Sequence, residues 1–146
     1  MPAILCLWKF NNYQQDTLGG LSYQTPSFNS NQRRLHSVLG IGDTAYIMTY
    51  KGGRTYLLSK IVVRDKQPNP PTFKYGQYRI SGNFPESRYY TLGAIEITDI
   101  LPKLHFASGA QLPPNPKLTV AQHFQTFREL TERDVRLIES VLSEVP

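Results

Sequence analysis

A chain of 146 residues, 40% hydrophobic and 18% charged, is sized for one domain with a proper core. No apolar run approaches a membrane span, no leader-like order of charged, apolar and small residues is present, and the single cysteine, Cys6, excludes an internal disulfide or a cysteine-rich zinc site. The net charge of +5 is uneven: residues 1–90 carry 11 Lys/Arg against 4 Asp/Glu, and residues 91–146 carry 5 against 7. A positive body with a mildly acidic tail favours a polyanionic partner, although a plain solvated surface has the same composition. A reducing, cytoplasmic setting with no membrane partner is the expectation.

In chain order, Ala3 to Trp8 reads as a short buried strand, apolar on both faces. Lys9 to Asn31 is rich in Asn, Gln, Gly, Ser and Tyr and reads as loop, long enough to suggest a function. Asn31 to Leu39 places Leu35, Val38 and Leu39 on one helical face with Arg33 and Arg34 off it, and Gly40 to Asp43 stops the helix. Thr44 to Tyr50 and Arg54 to Val63 follow as strands joined by Lys51-Gly52-Gly53. Within the first of these, Ala45, Ile47 and Thr49 face one way, and Tyr46, Met48 and Tyr50 the other.

The prolines of Lys66 to Pro71 exclude a helix or a central strand there. Thr72 to Ile80 and Tyr89 to Leu101 read as further strands, separated by a turn at Ser81 to Glu86, the second with a break near Gly93. After a proline-rich boundary at Leu112 to Lys117, Thr119 onward reads as helix, and Thr131-Glu132-Arg133-Asp134 as the capping box of a last helix carrying Val135, Ile138 and Leu142. The expected class is α+β: a small mixed β-barrel with an early helix and C-terminal helices. Residues 1–111 would form the barrel, with 112–146 a connector and helices packed on it within a single domain.

Chemistry-bearing motifs are few. His36, His105 and His123 fall in separate elements without ligand spacing, so no metal and no cofactor is expected. Cys6 suits a small apolar filler. No nucleophile elbow or phosphate loop is present, and Asp43 in a Gly-Asp turn suits backbone capping better than catalysis. The seventeen aromatics interleave with cations, as in Trp8-Lys9-Phe10, Phe73-Lys74-Tyr75 and Arg88-Tyr89-Tyr90. Base stacking contributes roughly 1–3 kcal/mol per base and cations neutralise phosphates, while the same aromatics also suit a β-rich core.

Ile4 to Lys9, the polar loop with Ser22-Tyr23-Gln24-Thr25, and Asn29 to Leu39 before Gly42-Asp43 resemble the PUA-like superfamily, nearest its EVE and YTH-type branches. The resemblance covers roughly residues 3–100 and is one of order and pattern. It implies a nucleic-acid-binding module, DNA or RNA, that holds a modified or flipped base in an aromatic pocket. Carried over, the pocket would comprise Lys9, Asn11, Tyr23, Thr25, Asn29, Asn31, Tyr50 and Phe73, with Tyr23 standing where a YTH-type domain has tryptophan. Backbone contacts would come from Arg33, Arg34, Lys51 and Arg54. Two other readings stay open: an ASCH-like hydrolase or ribonuclease using Lys9, Tyr23 and Asp43, and a protein-interaction module of a defence or toxin-linked system whose acidic tail meets an effector protein.

Overall fold

The computed structural model describes residues 2–11, 26–73, 76–113 and 120–144. Strand β1 is Ala3–Leu7, β2 Ser27–Ser30, β3 Thr44–Lys51, β4 Arg54–Val62, β5 Asp65–Pro68, β6 Tyr78–Ser81, β7 Arg88–Tyr89 and β8 Arg128–Glu129. Helices are α1 (Arg34–Val38), α2 (Val120–His123) and α3 (Glu132–Ser143), with a 3-10 turn at Leu101–Lys103. The strands form a five-stranded sheet in the order β7-β4-β3-β1-β8 and a three-stranded sheet in the order β2-β6-β5.

β1 is apolar throughout because it lies inside the larger sheet and both its faces are covered. Ala3 and Leu5 join one core, Ile4 and Cys6 the other. It pairs parallel with β3, Ala3 opposite Thr44 and Leu7 opposite Met48. β3 divides as its alternation predicts, Tyr46 and Met48 into the first core, Ala45 and Ile47 into the second. The β3–β4 hairpin closes on Gly52 and Gly53, whose φ of 61° and 83° is the left-handed pair that a two-residue turn between twisted strands requires.

The first core is completed by the C-terminal half of the chain: Ile95, Ile97, Leu101, Leu104, Phe106, Val120, Phe124 and Ile138. The second is covered by the smaller sheet and α1, through Phe28, Leu35, Leu39 and Ile80. Residues beyond the proline connector enter the larger sheet itself, where β8 pairs antiparallel with β1 and Leu130 N–H donates to the Ala3 carbonyl at 2.8 Å.

α3 opens on the capping box expected for it. The Thr131 hydroxyl accepts from Asp134 N–H, and the Asp134 carboxylate accepts from Thr131 N–H. That carboxylate reaches further, taking the N–H groups of His105 and Phe106 at 2.9 Å each. Phe106 is held at φ 53°, strained for a bulky residue, and Asp134 fixes its amide in place.

The expected architecture needs correction in three places. The strands build two packed sheets and no closed barrel among the described residues, because alternation assigns faces but does not dictate whether a sheet closes on itself. The strand read over Tyr89 to Leu101 breaks at Gly93 (φ 91°) as expected but does not resume: beyond it the chain touches β4 by a single bridge from Glu96 to Tyr56 and coils into the 3-10 turn at Pro102. The polar Lys9–Asn31 segment conceals β2, a strand whose one buried side chain is Phe28 and whose remaining residues carry no apolar signal. Among the described residues no helix is long and apolar enough to cross a membrane.

Candidate nucleic-acid interface

Because β1 and β3 run parallel, their C-terminal ends emerge at the same end of the sheet. Trp8 N–H still donates to the Met48 carbonyl at 2.8 Å, so the chain leaves the sheet only at Lys9. Lys9 and Asn11 are exposed there, and Lys51 at the hairpin lies 4.8 Å from the centre of the Phe10 ring, a cation–aromatic contact joining the two strand ends. Tyr50 is half-buried and packs on the first core, and Arg54 stands opposite Lys51 across the turn. Lys9, Asn11, Tyr50, Lys51 and Arg54 therefore belong to one end of the larger sheet.

A second group sits on the smaller sheet. Asn29 in β2 accepts through its side-chain oxygen from Asn69 at 2.9 Å, and the same Asn69 amide donates to the Gly76 carbonyl. Asn31 is exposed just beyond β2, and Arg33 caps α1 with its side chain exposed. Phe73 is half-buried in the turn that Pro70 begins, its N–H on the Pro70 carbonyl at 2.9 Å. Trp8 links the groups, its ring meeting Phe28 edge-on at 6.3 Å. Tyr23 and Thr25 lie outside the described residues.

The four cations read as backbone contacts differ in their surroundings. Arg54 is bound by Glu96 through both carboxylate oxygens, at 2.8 and 3.1 Å, and this guanidinium holds the Glu96 carboxyl below its usual range. Arg34 lies 5.0 Å from the centre of the Phe127 ring and 3.5 Å from a Glu129 oxygen. Arg33 and Lys51, like Lys9, meet no carboxylate among the described residues. Lys66, which the sequence reading passed over, caps α1: its ammonium donates to the His36 and Leu39 carbonyls at 3.0 Å each.

Asp43 is buried, and its carboxylate accepts the Gly40 N–H at 2.7 Å, closing the turn before β3. Lys9 follows the far end of the parallel β1, roughly 20 Å from Asp43 at about 3.3 Å per residue, so these two members of the hydrolase reading do not meet. No group of three or more His, Cys, Asp or Glu that would hold a metal occurs among the described residues. His36 contacts the Arg79 carbonyl at 2.8 Å and the Tyr78 ring edge-on at 5.1 Å, and burial pushes the Cys6 thiol up.

No protein-family model matches the chain, and no curated protein matches it. Solved structures do. Human THYN1 protein, in complex with 5-methylcytosine containing DNA, superposes with a TM-score of 0.52 at 11% identity, over 97% of each chain. A Rhodopseudomonas palustris protein solved by NMR superposes with a TM-score of 0.54 at 12% identity, over 100% of this chain and 96% of that one. At such identities the likeness is one of fold alone: the chain shares its architecture with these two proteins.

Proposed function

We propose that this chain is a nucleic-acid-binding module that takes one modified or flipped base at the end of its larger sheet and holds the strand by its cations. The observation that carries the reading is the cation-lined strand end of Lys9, Asn11, Tyr50 and Lys51, on a fold shared with a protein crystallised with methylated DNA. Tyr23 and Thr25 complete the pocket from the loop, with Asn29, Asn31 and Phe73 contributing from the smaller sheet. An aromatic there stacks on the base, and an amide such as Asn11 reads its edge because it donates and accepts together. Extruding a base costs a few kcal/mol, which stacking and edge hydrogen bonds must offset.

The cations rank by what already holds them. Lys51, Lys9 and Arg33 meet a phosphate without losing an ion pair, whereas Arg34 and Arg54 must first exchange a carboxylate for it. A competition screen of short DNA and RNA oligonucleotides, with and without 5-methylcytosine, tests the reading. Binding with a preference for the modified base supports it. Equal, salt-insensitive binding of every oligonucleotide, or none, sinks it.

A further inference from the structure

A cavity of about 410 Å³ opens between β4, the segment around β7 and α3, with Lys60, Arg88, Tyr90, Ile95, Glu139 and Leu142 among its walls. It is remote from the strand end discussed above. Lys60 pairs with Tyr46 near the start of β3, roughly 15 Å along the strand from Lys51. Its volume falls within the range of about 300–1,000 Å³ usual for small-molecule sites.

The polar groups facing it are only partly used. The Tyr46 hydroxyl and the Lys60 ammonium both donate to Glu139 Oε2, at 2.6 and 2.8 Å, leaving Oε1 without a partner among the described residues. Lys60 keeps two donors after that bond. Arg88 donates through Nε to the Pro85 carbonyl at 3.1 Å, and its two terminal nitrogens meet no acceptor among the described residues. Glu86, also on the wall, is already held by Arg64 at 2.8 and 2.7 Å, so the uncompensated charge at the mouth is positive.

The wall itself is fixed. Buried Ser87 accepts from Val62 N–H at 2.8 Å and donates to the Val62 carbonyl, and any side chain at Gly82 would strike Ser87. The cavity thus offers one fixed carboxylate acceptor, two cations with free donors, and a wall of aromatic and aliphatic side chains from Tyr90, Ile95 and Leu142. A ligand that meets all three carries an N–H donor, an anion and a planar ring. An aliphatic amino acid lacks the ring, and inorganic phosphate lacks the ring and the N–H. An aromatic amino acid carries all three, but its single carboxylate has fewer oxygens than a phosphate for the two cations, Lys60 and Arg88, that stand opposite each other on β4 and β7.

We propose that this cavity binds one nucleoside monophosphate unit, its exocyclic base amine donating to Glu139 Oε1 and its phosphate held by Lys60 and Arg88. The unit is either a free nucleotide or the 5′ end of a strand. The test is titration of the full chain with cytidine and uridine 5′-monophosphates, followed by calorimetry and amide NMR shifts. Cytidine monophosphate, which presents an amine where uridine monophosphate presents a carbonyl, binds about tenfold tighter, and both shift the Lys60, Arg88, Tyr90 and Glu139 signals.

In Glu139→Gln the amide oxygen stays on Lys60 and Tyr46 and the amide nitrogen replaces Oε1, so the preference inverts toward uridine. A merely structural Glu139 gives no such inversion, and the variant's melting temperature confirms that it folds. Arg88→Ala weakens both ligands about tenfold. A trinucleotide with a 5′-phosphorylated cytidine that outcompetes the mononucleotide assigns the site to strand ends, and the reverse order assigns it to free nucleotides. Equal affinities unchanged in Glu139→Gln, or no shift at these residues with either ligand at millimolar concentration, overturn the proposal.

Discussion

The acidic C-terminal third and the basic strand end use their charges in opposite ways. In the C-terminal third, Asp134 holds three backbone amides, while Glu96, Glu129 and Glu139 each pair with a cation of the first 90 residues. At the strand end Lys9 and Lys51 meet no carboxylate among the described residues, and neither does Arg33 at the start of α1. These four carboxylates therefore act inward, and they neutralise part of the body and leave a smaller set of cations for a polyanion.

The sharpest way to break this contrast is Asp134→Ala. Losing a buried carboxylate that accepts three amides costs about 3 kcal/mol of stability by chemical denaturation, with oligonucleotide affinity per folded molecule unchanged. Burial alone would raise this carboxyl, but the hydrogen bonds from His105, Thr131 and Phe106 outweigh it and hold it below the usual range. With the folded value depressed, its contribution is complete well above the ordinary aspartate value of about 4. It is lost as the pH falls through that value toward the folded one. A wild-type acid transition steeper than that of Asp134→Asn, followed by far-UV dichroism, checks the sign.

Tyr23→Ala probes the other side of the contrast. Affinity for the preferred oligonucleotide falls by about 2 kcal/mol, the worth of one stacking contact, while the melting temperature holds. The reverse pattern, lost stability with affinity intact, makes Tyr23 a packing residue. Smaller again is Arg33→Ala, which flattens the dependence of log K on log salt by about 0.9 on duplex and 0.7 on single strands. Arg54→Ala has the least effect on binding, because Glu96 already occupies that guanidinium. An Arg54 variant as defective as a Lys51 variant would show that the ion pair opens on binding.

Local structure is legible in the sequence where one physical cause dominates. Alternation assigned Tyr46 and Met48 to one core and Ala45 and Ile47 to the other, Gly52-Gly53 closed its hairpin, and the Thr131–Asp134 spacing marked a cap. What escaped were features set by distant partners. β2 is a strand because β6 pairs with it, and nothing in Ser27-Phe28-Asn29-Ser30 itself demands one. The Tyr46–Lys60–Glu139 cluster joins residues 93 and 79 positions apart, beyond the reach of any spacing rule. The same limit separates Asp43 from Lys9: the hydrolase reading groups them, but the parallel pairing of β1 with β3 sets them at opposite ends.

The central claim, that strand-end cations with no carboxylate partner among the described residues grip a nucleic-acid backbone, is tested most directly by the salt dependence of oligonucleotide affinity in the wild type and in Lys51→Ala. The account predicts a linear fall of log K with log salt in the wild type, and a slope shallower by about 0.9 on duplex DNA in Lys51→Ala. No detectable binding at low salt, or a Lys51→Ala slope identical to that of the wild type, would contradict it.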